Sequence, residues 1–248
     1  MTFFVQRNKM KTGGLNLFVM ILFCSLVGLP MQFCRAETVN DFGSWFSVNT
    51  QGVIDGHQQS SRWRWWFDGH LRYLDDSDGF HQSIFRPGIG YQLTPTTNLW
   101  LGYAWINTMP ANGNSLIDEN RIWQQLMWTK KVGRQTLFSR TRLEQRFVET
   151  GSDTGWRLRQ FCKINRPFCE GSPGSFVSWD EGIFGLNATD WGQSDSFLQN
   201  RLFLGLGLRL NGANQPKIEV GYLNQFIRSG SREDRMNHIL SLNWFWNF

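Results

Sequence analysis

Arginine recurs at every second position in several stretches of this chain. Arg62 and Arg64 open one stretch that continues to Arg72; Arg140, Arg142 and Arg146 flank Glu144 in another; Arg157 and Arg159 form a third. Read at the same two-residue spacing, Arg86, Arg121, Arg201 and Arg209 fall on the same side of their own segments, together with Asp68, Glu181 and Glu219. A guanidinium group is planar, permanently charged and donates in a fork, so such a set does one of two things. It grips the anionic groups of a solute, or it pairs with carboxylates of its own chain. Twelve arginines facing the four acids Asp68, Glu144, Glu181 and Glu219 leave an excess of positive charge. In a water-filled lumen that excess selects for anions. In a narrow one, each carboxylate bridges several guanidinium groups and the set is structural.

Histidine and cysteine offer other chemistry. Asp68 and His70 stand two residues apart, where a carboxylate orients an imidazole; His81 with Ser83 and His238 with Ser241 are further candidates for a hydrolytic site at one rim. No nucleophile motif accompanies them. Cys162 and Cys169 are close enough in sequence for a disulfide, the alternative being two unconnected thiols. No metal-ligand spacing, cofactor motif, phosphate loop or nucleic-acid motif is present.

The elements that must position these residues are strands. In Leu198–Leu210 the even positions are leucine except Asn200, and the odd positions are Gln, Arg, Phe, Gly, Gly and Arg. Strand side chains alternate between faces, so one face is oily and the other polar or small. The final segment sets His238, Leu240, Leu242, Trp244, Trp246 and Phe248 against Asn237, Ser241, Asn243 and Asn247. A soluble edge strand with such a face is an aggregation hazard. Ending on Phe248, it resembles the terminal signal by which barrel-assembly machinery recognises outer-membrane proteins. Similar two-faced segments lie near 42–50, 62–74, 81–93, 99–106, 121–130, 134–148, 156–164 and 218–228; residues 176–186 are ambiguous, because both faces mix apolar residues with an acid. Long polar connections alternate with short turns.

This pattern predicts an all-β fold, an antiparallel up-and-down transmembrane barrel over 37–248. Eleven segments are legible. Bacterial single-chain barrels have even strand numbers, so twelve is expected and ten is the alternative. Thirteen Trp and 21 Phe beside a mean hydropathy of −0.37 suit walls with one apolar side. The first 36 residues read as a secretory signal: Arg7, Lys9 and Lys11, an apolar run to Leu29, then Cys34-Arg35-Ala36 with cleavage after Ala36. Cleavage removes four of 25 basic residues, leaving 25 − 4 = 21 against 20 acids, which gives no charge argument for nucleic acid.

Several clusters carry a family resemblance. Arg86-Pro87-Gly88-Ile89-Gly90-Tyr91, Glu119-Asn120-Arg121-Ile122-Trp123-Gln124-Gln125, Arg142-Leu143-Glu144-Gln145-Arg146 and Glu219-Val220-Gly221-Tyr222-Leu223-Asn224-Gln225, in this order, resemble the bacterial family catalogued as domain of unknown function 2490. The resemblance implies an outer-membrane barrel and supplies no catalytic residues. The expectation is therefore a barrel in outer-membrane lipid with an arginine-rich lumen, passing a small anionic solute. A plugged, salt-bridged structural barrel and a rim hydrolase are the alternatives.

Overall fold

The computed structural model describes residues 38–54, 61–110, 113, 115–211, 216–230 and 233–248. The expected signal segment and its cleavage point at Ala36 lie outside the described residues. Eleven strands and no helix are formed among them: β1 (Thr38–Val53), β2 (Trp63–Leu74), β3 (Gly79–Thr94), β4 (Thr97–Thr108), β5 (Ile117–Val132), β6 (Gln135–Val148), β7 (Thr154–Pro167), β8 (Gly174–Gly185), β9 (Phe197–Arg209), β10 (Lys217–Ile227) and β11 (Asp234–Asn247). Each pairs antiparallel with its sequence neighbours, and β1 closes the barrel against β11.

The closing pair is parallel, in register from Thr38↔Asp234 to Gln51↔Asn247. Evenness follows only if every neighbouring pair, including the last, runs antiparallel. A parallel seam lifts that constraint, and the barrel closes with eleven strands, beside the twelve expected. The segment around Phe42 is a full crossing of 16 residues.

Both faces of the wall follow from the alternation. On β9, Leu202, Leu204, Leu206 and Leu208 are exposed on the outside, while Arg201 and Phe203 are buried within. The ambiguous segment resolves in β8: Glu181 points inward and is buried, whereas Asp180 lies on the outer parity and accepts a hydrogen bond from Asn200 Nδ2 at 2.9 Å. The ends of β1 at Thr38, β4 at Thr108 and β10 at Ile227 share one rim, here the upper, with the connections 75–78, 149–153 and 186–196; the connections 95–96, 133–134 and 168–173 form the lower, with the ends of β1 at Val53 and β9 at Arg209.

The interior is not uniformly polar. Trp123 and Trp100 turn inward and pack with Ile84, Ala104, Ile106 and Met127; Trp45, Val177, Phe203, Leu223 and Ile239 make a second cluster. Glycine makes room for these rings. A Cβ on Gly88 would stand 2.6 Å from Trp123, and one on Gly102 would overlap the same indole. This use of glycine is spatial, a close approach of ring to backbone.

Candidate functional site: an arginine-lined lumen

The inward positions of β2, β3 and β5 to β10 bring most of the sequence-identified arginines into one interior. Glu119, on β5, accepts from Arg121 at 2.6 and 2.7 Å and from Arg146 at 2.5 and 3.0 Å. Glu144, on β6, accepts from Arg157 and from Arg159 at 2.9 Å, with Arg142 and Arg121 at 3.6 and 3.7 Å. Glu181, on β8, takes Arg140 at 2.6 Å, Arg159 at 2.7 Å and Arg201 at 3.4 Å. Arg159 thus links Glu144 to Glu181 across the β6–β7–β8 wall. On β2, Asp68 is fully buried and bound by Arg86 and by Trp66 Nε1. Each carboxylate serves several donors, the geometry a bridging acid requires.

Other candidates sit apart from this network. Arg64 donates to Gln92 at 2.6 Å near the lower rim, and Arg209 donates to the Ser172 carbonyl there at 2.8 Å. Arg62 precedes β2, is exposed, and holds its guanidinium 5.9 Å from the Tyr91 ring centroid; it does not enter the lumen. Glu219 pairs with Lys163 and Lys217 at 2.6 and 2.7 Å, neither of them in the sequence-derived set. Glu119 was missed as well. Its signal was present, since it shares parity with Arg121 two residues on.

The upper half of the lumen is packed. Ile106, Arg142, Glu144, Ile183, Gln225 and Asn237 are all at most 4% exposed. Above them the β8–β9 connection folds across the rim. Its Gln193 accepts from Arg146 at 3.0 Å, and the Arg146 guanidinium lies 4.7 Å from the Trp191 ring. Asp190 in the same loop accepts from the N–H and hydroxyl of Ser152 at 2.8 and 2.9 Å, clasping it to the β6–β7 turn.

The lower half holds a cavity of about 840 Å³ that reaches from the lower-rim turns to the middle of the barrel. Ten cationic side chains line it: Arg72, Arg86, Lys131, Arg134, Arg140, Arg159, Lys163, Arg201, Arg209 and Lys217. Three carboxylates do so, those of Glu170, Glu181 and Glu219. Trp45, Trp66, Phe161 and Trp179 give it aromatic walls. A concave, partly apolar space with a few converging charges is the usual form of a small-molecule site.

The hydrolytic candidates are not assembled into a triad. His70 Nε2 is 2.5 Å from Asp68 and 3.2 Å from an Arg86 nitrogen. Its cross-strand partner Ser47 donates instead to Asn243 at 2.7 Å. No hydrogen bond joins His81 to Ser83 among the described residues. His238 lies on the outer parity with the Tyr222 hydroxyl at 2.6 Å, whereas Ser241 is buried inside. Cys162 and Cys169 are free thiols: the first lies on the outer parity of β7, the second in the turn lining the cavity mouth. The two stand as unconnected thiols in this structure. No group of three His, Cys, Asp or Glu side chains suited to a metal ion occurs among the described residues.

Comparison with known proteins adds kinship without chemistry. Residues 42–237 match the family described as "Protein of unknown function (DUF2490)". An uncharacterized protein of Methylorubrum extorquens is 38% identical over 214 residues, 85% of this chain and 89% of that protein. No solved structure matches the chain.

Proposed function

Since the chain belongs to the DUF2490 family, which assigns it no activity, we propose from geometry that it is an outer-membrane β-barrel whose lumen takes in small anions from its lower rim. The membrane part rests on the outer wall. Apolar side chains occupy the middle of the outward faces, Leu204, Leu206, Val220 and the Phe67–Phe85 pair among them, and further aromatic rings stand towards both ends. Phe42 and His238 stack at 5.2 Å near the upper rim; Trp63 with Tyr91, and Trp65 and Trp246 with Phe248, pair at 4.8–5.7 Å near the lower. Aromatic girdles flanking an apolar band are what two membrane interfaces demand. Export through a cleaved signal and insertion by the barrel-assembly machinery through β11 and Phe248 belong to the same reading.

The anion part is carried by one observation, the cavity lined by ten cations and three carboxylates. An excess of this size in a space shielded from solvent attracts and retains counter-ions. The ion-paired upper half and the β8–β9 loop close the far end, so this is the resting arrangement of an anion-selective passage. The rival is a purely structural barrel. The hydrolase reading has the Asp68–His70 pair in its favour and lacks a hydroxyl hydrogen-bonded to the imidazole.

Planar-bilayer recording under a potassium chloride gradient tests the proposal. The expected result is a protein closed most of the time, with openings whose reversal potential favours chloride. Deleting residues 188–195 should make openings more frequent. A cation-selective reversal potential, or silence from both proteins, overturns the anion reading and leaves the structural barrel. Recovery of the mature protein in aqueous extracts without detergent overturns the membrane reading.

A further inference from the structure

The inner end of the cavity presents cationic donors that the protein itself does not satisfy. Arg72 is 8% exposed and has no carboxylate partner among the described residues; its one side-chain hydrogen bond there goes to Gln82, at 2.7 Å. The Nε of Arg72, the Nε of Arg140, the Nε of Arg201 and the indole N–H of Trp45 are all buried without a hydrogen-bond partner. These four side chains belong to one place. The guanidinium of Arg72 stacks 4.0 Å from the Trp45 ring centroid, and that of Arg201, from the far wall, approaches the same ring at 5.1 Å. Arg140 and Arg201 share Glu181, so one carboxylate serves both.

A buried cation without a counter-ion is costly, and a buried donor without an acceptor adds to the cost. Protein interiors retain such groups where something else completes them. Here the missing component is an acceptor carrying negative charge. Its surroundings describe the rest of the molecule. Below the guanidinium pair the wall is aromatic: Phe161 lies against Trp179 at 5.3 Å, Trp179 stacks on Phe203 at 5.3 Å and 10°, and Trp66 lines the cavity on the β2 side. Flat faces of this kind receive a flat apolar ring by stacking.

We propose that the inner end of the lumen is a binding site for an aromatic carboxylate, its carboxylate held by Arg72 and Arg201 over Trp45 and its ring among Trp66, Phe161 and Trp179. Arg72 supplies the uncompensated charge, and Trp45 sets the height at which the two guanidinium groups meet the acid. The site rests on the reading that solutes enter the lumen from the lower rim. It does not require that they cross.

Titration calorimetry on the detergent-solubilised barrel tests the site, with benzoate as the probe and benzyl alcohol, acetate, glucuronate and inorganic phosphate as comparisons. Benzoate is expected to bind at least ten-fold more tightly than benzyl alcohol, which lacks the charge, and than acetate, which lacks the ring. Arg72→Gln should lower benzoate affinity at least ten-fold while leaving the unliganded barrel as heat-stable as before. Trp45→Phe, which keeps the ring and removes the donor, should give a smaller loss. Equal binding of benzoate and benzyl alcohol, tighter binding of glucuronate or phosphate, or unchanged affinity in Arg72→Gln overturns the proposal. Anion currents in the bilayer together with absent benzoate binding would sink this site alone; benzoate binding without currents would sink the passage and spare the site.

Discussion

Glu144 is 1% exposed and stands among Arg157, Arg159, Arg142 and Arg121. An intact buried ion pair contributes little net stability, but removing one partner strands the other charges, typically at a cost of about 3–5 kcal/mol. Glu144→Gln should therefore lower the unfolding free energy of the solubilised barrel, read from a urea titration, by an amount in that range; an unchanged free energy would show the cluster to be solvated. Gly88→Val should cost about 1–3 kcal/mol by overpacking against Trp123, and Trp123→Ala in the same chain should relieve much of it. A double-mutant cycle reads that coupling directly. Much of the residue-scale picture was legible beforehand. The parity of Arg140, Arg142, Glu144 and Arg146 put all four inside, where they are. Glu119 was within reach of the same argument. The direction of Trp123 was within reach too, since it shares the parity of Arg121 and Gln125; the room for its ring was not, because the glycines of β3 and β4 that provide it are cross-strand neighbours, which do not appear in a linear pattern.

At the scale of elements, strands were more legible than connections. Alternation located the crossings, including the strongly two-faced β9, since a wall between apolar and polar surroundings imposes period two. β8 was ambiguous because Asp180 occupies the outer face that usually excludes charge, in company with Asn200. The β8–β9 connection reads in sequence as an ordinary polar loop. Its capping role depends on contacts with residues some 40 positions away, which sequence spacing cannot announce. The clasp by Asp190 makes a pH-dependent prediction. Donation from the Ser152 N–H, with help from the Asp153 N–H and the Ser152 hydroxyl, holds the Asp190 pKa below its ordinary 3.8. A depressed carboxylate pKa stabilises the folded arrangement above the unfolded value, and that contribution fades as pH falls through the folded one. The loop should accordingly stay closed through mildly acidic conditions and loosen only below the usual aspartate range. Hydrogen exchange of the 186–196 segment checks this: Asp190→Asn should exchange faster than wild type at pH 6, and the two should converge in strong acid.

At the scale of the molecule, barrel class followed from composition and alternation together, whereas strand number did not follow from either. The evenness rule presumes a seam between antiparallel partners, and β1 and β11 are aligned in the same direction. That alignment has a topological consequence. The residue that begins β1, Thr38, and the chain's last residue, Phe248, emerge on opposite sides of the wall's span, whereas an even-stranded barrel returns both to one side. An epitope inserted ahead of Thr38 and another placed in the 168–173 turn, on the side where Phe248 emerges and leaving that terminus intact, should then be reached from different compartments. Antibody labelling of intact cells would detect one and not the other; equal labelling would mean the two ends share a compartment. Such a barrel carries a marker of each side in a single polypeptide.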